Sequence, residues 1–305
     1  MNVRRCLAVA ALAGAALLAA GSPVRAHGFA GQRFFPATIL NDDPFVADEL
    51  SLPTVTRPPE DAGGAHEIDL DVEFSKRITP RLGFSLGEGW TSLKPAGAGS
   101  ATGLTGLETG VQYQLFVNGP HEAIGLVGLD VSWAHTGRVA ALGASDFTTL
   151  SPRFAFGKGF GDLPYSLDWL RPIAVTGNLS VDFPSKTESA GSPNPNFFNY
   201  GFAVEYSLTY LQCCVKDVGL RRPFSQLIPV VEMAFSTPIN RSEGFSTVGT
   251  IQPGIIWSGE SFQIGAEAII PVNDASGKGI GGVVQLHFYL DDLFPRSLGK
   301  PISEW

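Results

Sequence analysis

The chain has 305 residues, with 21 Lys and Arg against 29 Asp and Glu for a net charge of −8, and it carries 36 glycines and 22 prolines. An acidic balance argues against a nucleic-acid partner held by phosphate attraction. Gly and Pro punctuation at this density argues against a helical bundle and for many short strands.

Residues 1–26 read as a signal peptide: basic "MNVRRC", an apolar run from Leu7 to Ala20 too short to span a bilayer, and a small-x-small cleavage site at Val24-Arg25-Ala26. Such a leader carries the chain beyond the inner membrane of a Gram-negative bacterium. Cleavage removes Arg4, Arg5 and Arg25 and no acid, leaving 18 basic against 29 acidic residues, a net of −11. Cys6 leaves with the leader. Cys213 and Cys214 are neighbours, a spacing of neither a disulfide framework nor a metal site, and they read as apolar packing residues, with a redox or partner-linking role as the alternative.

Residues 27–65 form an N-terminal extension rich in Pro and Asp, with one candidate strand at 47–55. The rest of it is expected to plug a lumen or to contact a periplasmic partner. From 66 to 290 a period of two recurs. In "EIDLDVEFS" (67–75), Ile68, Leu70, Val72 and Phe74 share one face, and Glu67, Asp69, Asp71 and Glu73 the other. Leu82, Phe84, Leu86 and Trp90 follow, then Leu107, Val111, Tyr113, Leu115 and Val117. Next come Val127, Leu129, Val131 and Trp133, then Leu150, Phe154 and Phe156, then Ile173, Val175, Leu179, Val181 and Phe183. "FNYGFAVEYSLTY" sets Phe198, Tyr200, Phe202, Val204, Tyr206, Leu208 and Tyr210 on one face. Four further segments, near 227–235, 251–257, 262–270 and 284–290, repeat the pattern, the last with Val284, Leu286, Phe288 and Leu290.

Each segment has about ten residues, the length a tilted strand needs to cross a hydrocarbon layer. Long polar connections (91–104, 134–146, 184–196, 237–246, 272–281) take turns with mostly shorter ones. Counting 47–55 gives twelve strands, an even number that closes a barrel and returns both termini to one side, assigned here to the periplasm. The predicted fold is all-β: a transmembrane antiparallel up-and-down barrel over 66–290, with 291–305 as a periplasmic tail. Apolar faces then meet outer-membrane lipid. Trp90, Trp133, Phe183 and Phe235 mark one rim, and Phe74, Tyr210, Trp257 and Phe288 the other.

Nine polar residues fall on the lumen face: Glu73, Glu108, Asp130, Arg153, Asp182, Glu205, Glu232, Glu267 and His287. They serve either to ion-pair across a plugged interior or to form an acidic passage for cations or polar neutral solutes.

The strand run, the leader and the phrase "FSKRITPRLGFSLGEGW" (74–90) resemble the outer-membrane proteins of the phenol meta-pathway degradation family (MetA-like). The resemblance covers about residues 66 to 290. It implies a barrel that transports hydrophobic or aromatic compounds. The tail departs from the common ending of such barrels, because the chain runs on past the last strand to Trp305.

Catalysis has a weaker footing. His287, Ser180 and Ser207 face the lumen in this register, but no nucleophile elbow accompanies them. An amino-terminal His27 with His66, His121 or His135 is a copper-type donor set without telling spacing. No metal or cofactor is expected. The expected function is a passive outer-membrane channel for a small-molecule solute. A structural or partner-binding barrel with a plug-like N-terminal segment is the first alternative, and an outer-membrane enzyme the second.

Overall fold

The structure is a computed structural model and describes residues 28–303 apart from 62, 98 and 138–144. The leader, His27 and Trp305 lie outside the described residues. Twelve long strands follow one another in the chain: β1 (Glu49–Arg57), β2 (His66–Arg77), β3 (Leu82–Lys94), β4 (Glu108–Asn118), β5 (Ala123–Ser132), β6 (Thr149–Gly159), β7 (Ile173–Pro184), β8 (Phe197–Tyr206), β9 (Leu227–Pro238), β10 (Val248–Ser258), β11 (Phe262–Pro271) and β12 (Gly281–Tyr289). Each pairs antiparallel with the next, and β12 pairs antiparallel with β1 from Gly282↔Arg57 to Tyr289↔Glu49, so the sheet closes. The even count expected from the pattern is the count observed. The candidate strand at 47–55 is β1, and the remaining extension divides into an inner segment, 28–48, and a connection, 58–65.

The two faces of the sheet are reversed relative to a soluble protein. Ile68, Val111 and Val284 are about half exposed on the outside, whereas Thr176, Glu232 and Gln263 on the inside are fully buried. Apolar side chains left outward on nearly every strand need lipid as their solvent, and closure pairs every ladder without leaving an edge. At the rims, Trp90, Trp133 and Phe183 stay outward and exposed, and Trp257, Phe262 and Phe288 form a chain of rings with centroids 5.3 and 6.4 Å apart.

Local irregularities correct the alternation in four places. The β4–β5 ladder shifts between Gln114 and Phe116. Leu115 is the extra residue of this bulge, so Phe116 faces outward with its partner Gly125, and Val117 turns inward with Ile124, against its expected face. In β1, Pro53 has no N–H to give, and both of its ladders shift register there. Finally, β8 ends at Tyr206. The Ser207 side chain caps a short helix, α1 (Leu208–Tyr210), which removes Leu208 and Tyr210 from the strand face and buries Tyr210. Leu290 likewise starts a short helix, α2 (Leu290–Leu293), and is buried, where it had been expected to face lipid.

One end of the barrel, the turn end, carries the connections 78–81, 119–122, 160–172, 207–226 and 259–261 together with the first and last described residues; the other, the loop end, carries 58–65, 95–107, 133–148, 185–196, 239–247 and 272–280. A short strand at Ala101–Leu104 extends the β3 hairpin beyond the loop end.

Candidate functional site: a lumenal plug and the polar cavities around it

The segment 28–48 enters at the turn end and runs inside the barrel, touching inward residues of β2, β4, β6, β7, β9 and β11. It begins with a tight hairpin, Phe29–Ala30 against Arg33–Phe34. Gly31 turns it at φ +66°, and a side chain there would strike the backbone of Gly119. Arg33 is fully buried. Its Nε donates to Glu122 Oε2 at 3.1 Å, its other nitrogens donate to the carbonyls of Pro172 and Arg171, and its guanidinium lies 3.7 Å from the Tyr210 ring centroid. Tyr210 in turn donates its hydroxyl to Glu122 Oε1 at 2.6 Å. Burial, and then the hydrogen bond and charge of Glu122, push the Tyr210 hydroxyl up to about 12.

The apolar residues of the segment form a small core inside the lumen: Ala30, Phe35, Phe45 and Ala47 pack with Ile124 and Ala174 of the wall. Polar wall residues then grip the backbone. Gln263 donates to the Ala37 carbonyl at 2.6 Å. Glu232 accepts from the backbone N–H groups of Ile39, Leu40 and Asn41 at 2.7, 3.1 and 3.0 Å. Asn178 donates to Asp42 at 2.8 Å, and Gln114 bridges Pro44 and Val46. Beyond its hairpin the plug has no strand partner, so its N–H and C=O groups must be satisfied by side chains, and the inward Gln, Asn and Glu do this.

Where the plug joins β1, Asp48 is fully buried between two cations. Lys76 Nζ lies 2.9 Å away, and Arg77 donates to it from its backbone N–H and its guanidinium at 2.7 to 2.9 Å. The C-terminal tail closes over them: Lys76 reaches the carbonyls of Leu298 and Lys300, Arg77 reaches that of Gly299, and Asp291 lies 3.2 Å from Arg77. Backbone bonds from Ile302 to Arg77 and from Ser303 to Ile78 hold the tail against the strand end.

The nine lumen candidates separate by position. Glu205, Glu232 and Glu267 are buried in the half that the plug fills. Glu205 lies 3.5 Å from the Thr176 hydroxyl, and Glu232 holds the plug as described. His287 is buried beside the plug; its Nδ1 is 2.8 Å from Ser51 Oγ, and its Nε2 is 3.5 Å from Glu49. Glu73, Glu108, Asp130, Arg153 and Asp182, with Asp42 of the plug, line a cavity of about 400 Å3 on the loop side. There Arg153 Nε lies 2.6 Å from Asp130, and its Nη2 donates to Gln112 at 2.7 Å. Asp182 accepts from Ser151 and Asn199 at 2.7 and 2.8 Å, and Glu108 from Ser132 at 2.9 Å. Five carboxylates thus share one guanidinium. On β2, Asp71 and Asp69 continue the acidic row toward the loop end.

Ser180 accepts from Asn199 and Ser207 caps α1, so neither serves His287; the hydroxyl beside that imidazole is Ser51, which the sequence reading missed. The surrounding carboxylates of Glu49 and Glu73 oppose the oxyanion that acyl transfer would develop there. His66 pairs with Glu60 and His121 with Asp162 at opposite ends of the barrel, and among the described residues no three His, Cys, Asp or Glu side chains converge to hold a metal ion. Cys213 and Cys214, expected as apolar packing, are joined by a disulfide within the turn Leu211–Val215, and Cys213 is exposed beside a wide turn-end cavity.

No protein-family model matches the sequence, and no curated protein matches it. Solved structures share the fold. An outer-membrane channel from Pseudomonas putida F1 is 11% identical, with 83% of this chain and 99% of that one covered at a TM-score of 0.52. The NanC porin is 9% identical over 78% of this chain and 98% of its own, at 0.46. LpxR from Salmonella typhimurium is 12% identical over 79% and 99%, at 0.44. The class that the fold defines is the closed, twelve-stranded, antiparallel transmembrane β-barrel of the outer-membrane type.

Proposed function

We propose that the chain is a passive outer-membrane channel for small solutes whose own N-terminal segment narrows the lumen from the periplasmic side. The cavity of about 400 Å3 above the plug carries this reading, since it places Glu73, Glu108, Asp130 and Asp182 around a space of small-molecule size. An excess of carboxylates over one arginine favours cations and polar neutral molecules over anions. The fold likeness to a Pseudomonas putida channel supports transport. The resemblance of residues 74–90 to the phenol meta-pathway degradation family supports an aromatic solute. Both would be met by a small aromatic or polar molecule that is neutral or cationic. In this reading residues 1–26 are the cleaved leader and both chain ends lie in the periplasm.

The test is a liposome-swelling and planar-bilayer comparison of the full chain with a variant lacking residues 28–46. Conductance that rises on deletion and reverses at a cation-selective potential is the expected result. Absence of permeation from either protein would sink the reading.

A second reading rests on a different observation. A cavity of about 1260 Å3 opens at the turn end between Phe29, Phe34, Tyr210, Arg221 and Glu260, in reach of a periplasmic partner. Deletion of the plug with transport intact and partner capture lost would favour it.

A further inference from the structure

Beneath the loop-side cavity lies a smaller, enclosed one of about 90 Å3, between the plug apex and the wall. Four carboxylates face it: Asp42 and Asp43 from the plug, Glu49 from β1 and Glu73 from β2. The cations that face it are Arg153 and, when protonated, His287. Arg153 is already engaged by Asp130 at 2.6 Å and by Asp42 at 3.9 Å. Buried charge in such excess needs a counter-charge.

The oxygens themselves show where that charge belongs. Glu49 and Gln285 are each 6% exposed, and Glu49 Oε1 and Gln285 Oε1 accept no hydrogen bond. The Gln285 amide cannot turn its nitrogen toward the space without loss. Its Nε2 is committed to Thr54, while the amide of Asn41 is turned away toward Glu232 and Gly201 on the opposite wall. The hydroxyls around the space are committed too: Ser51 to His287, Ser75 to Glu73, and Thr38 of the plug to Asn41 and Asp43. What remains is a set of acceptors around a space of roughly three water volumes, taking about 30 Å3 for each water.

We propose that this cavity binds a hard, oxygen-ligated cation, held by Glu49 with the amide oxygen of Gln285 and by water, its charge balanced by Asp42 and Asp43 of the plug. Carboxylate, amide carbonyl and water are the ligands such ions take, and six to eight oxygens around a calcium ion fit a mixed set better than a triad of acids. Glu49 belongs to β1 and Gln285 to β12, and Asp42 and Asp43 of the plug face the same space, so the ion ties the plug to the barrel seam where the first and last strands meet. This holds whether or not the barrel conducts.

The experiment uses the full chain in detergent, stripped with EDTA and exchanged into choline chloride. CaCl2 or KCl is then added at matched ionic strength while thermal unfolding is followed by heat-modifiable gel mobility. A saturable rise in Tm of at least about 3 °C with one of the two salts is expected. Glu49→Gln should abolish the rise, and Glu108→Gln, in the cavity above, should keep it. Equal Tm in choline, CaCl2 and KCl overturns the proposal, and so does stabilisation by acidification alone, which would make protons the counter-charge. Should Glu49→Gln fail to fold, unaltered crystals soaked in TbCl3 decide: an anomalous peak inside the cavity supports the site, and peaks only elsewhere overturn it.

Discussion

Asn41 gives Glu232 two hydrogen bonds, from its backbone N–H at 3.0 Å and from its side-chain Nδ2 at 2.9 Å, both to Oε2. Ile39 and Leu40 add their own N–H groups, so one carboxylate receives the apex of the plug. Glu232→Ala would strand these donors inside the lumen. A loss of about 2–5 kcal/mol of plug docking is expected. Single-channel recordings should then show a larger or more frequent open level than the unaltered chain, with Glu232→Gln in between. Unchanged currents would mean that the plug is held elsewhere.

Asp48 joins three parts of the chain that are distant in sequence: the plug, the end of β2 and, through Lys76 and Arg77, the C-terminal tail. Asp48→Ala leaves two buried cations with one fewer carboxylate. Removing one partner from such a group costs about 3–5 kcal/mol. The heat-modifiable transition should fall markedly, and the tail should become accessible to carboxypeptidase. A mere surface pair would move neither.

Charge in the loop-side cavity should set ion preference. Asp130→Asn and Asp182→Asn together should lower the cation-to-anion permeability ratio read from reversal potentials under a KCl gradient. Arg153→Ala should raise it. Both shifts should shrink as salt rises from 0.1 to 1 M, because the screening length falls from about 10 to about 3 Å. A reversal potential indifferent to these changes would place the conducting path elsewhere.

Tyr210 makes the plug anchor sensitive to alkali. Its hydroxyl is raised to about 12, foremost by burial and next by Glu122, above the ordinary value of 10.0. A folded-state value raised in this way contributes stability that is complete below pH 10 and is lost as pH climbs through about 12. Melting curves at pH 9 and 11 should therefore differ, and Tyr210→Phe should flatten the difference between them. Equal slopes in both proteins would remove Tyr210 from the anchor.

Much of the barrel was legible because alternation is a local property. Ile68, Leu70 and Val72 face away from Asp69, Asp71 and Glu73 whatever the rest of the chain does, since the strand period is two. The even strand count rested on one weak segment, 47–55, and closure with β12 made it β1. The misplaced faces, Val117, Leu208, Tyr210 and Leu290, lie at a bulge or past a strand end, where pairing with a neighbour decides the backbone path.

The candidate site was half legible. Glu232 and Asp130 were both placed on the lumen side, but nothing in their own strands separates the acid that holds a plug from the acid that faces a cavity. Arg33, Asn41 and Asp48 sit in a stretch without periodicity, and their barrel partners named above stand 28 to 191 residues away. Ser51 became the neighbour of His287 only through the register shift around Pro53.

An acidic chain of some twelve alternating strands, apolar on one face and polar on the other, is written in the residues alone, because side-chain direction in a strand needs no distant partner. That residues 28–48 fill part of the cylinder, and so which carboxylates are bound by the plug and which line the cavity above it, follows from the folded barrel. Contacts of a segment without regular structure are set by the surface it meets, and that surface exists only once the barrel has closed.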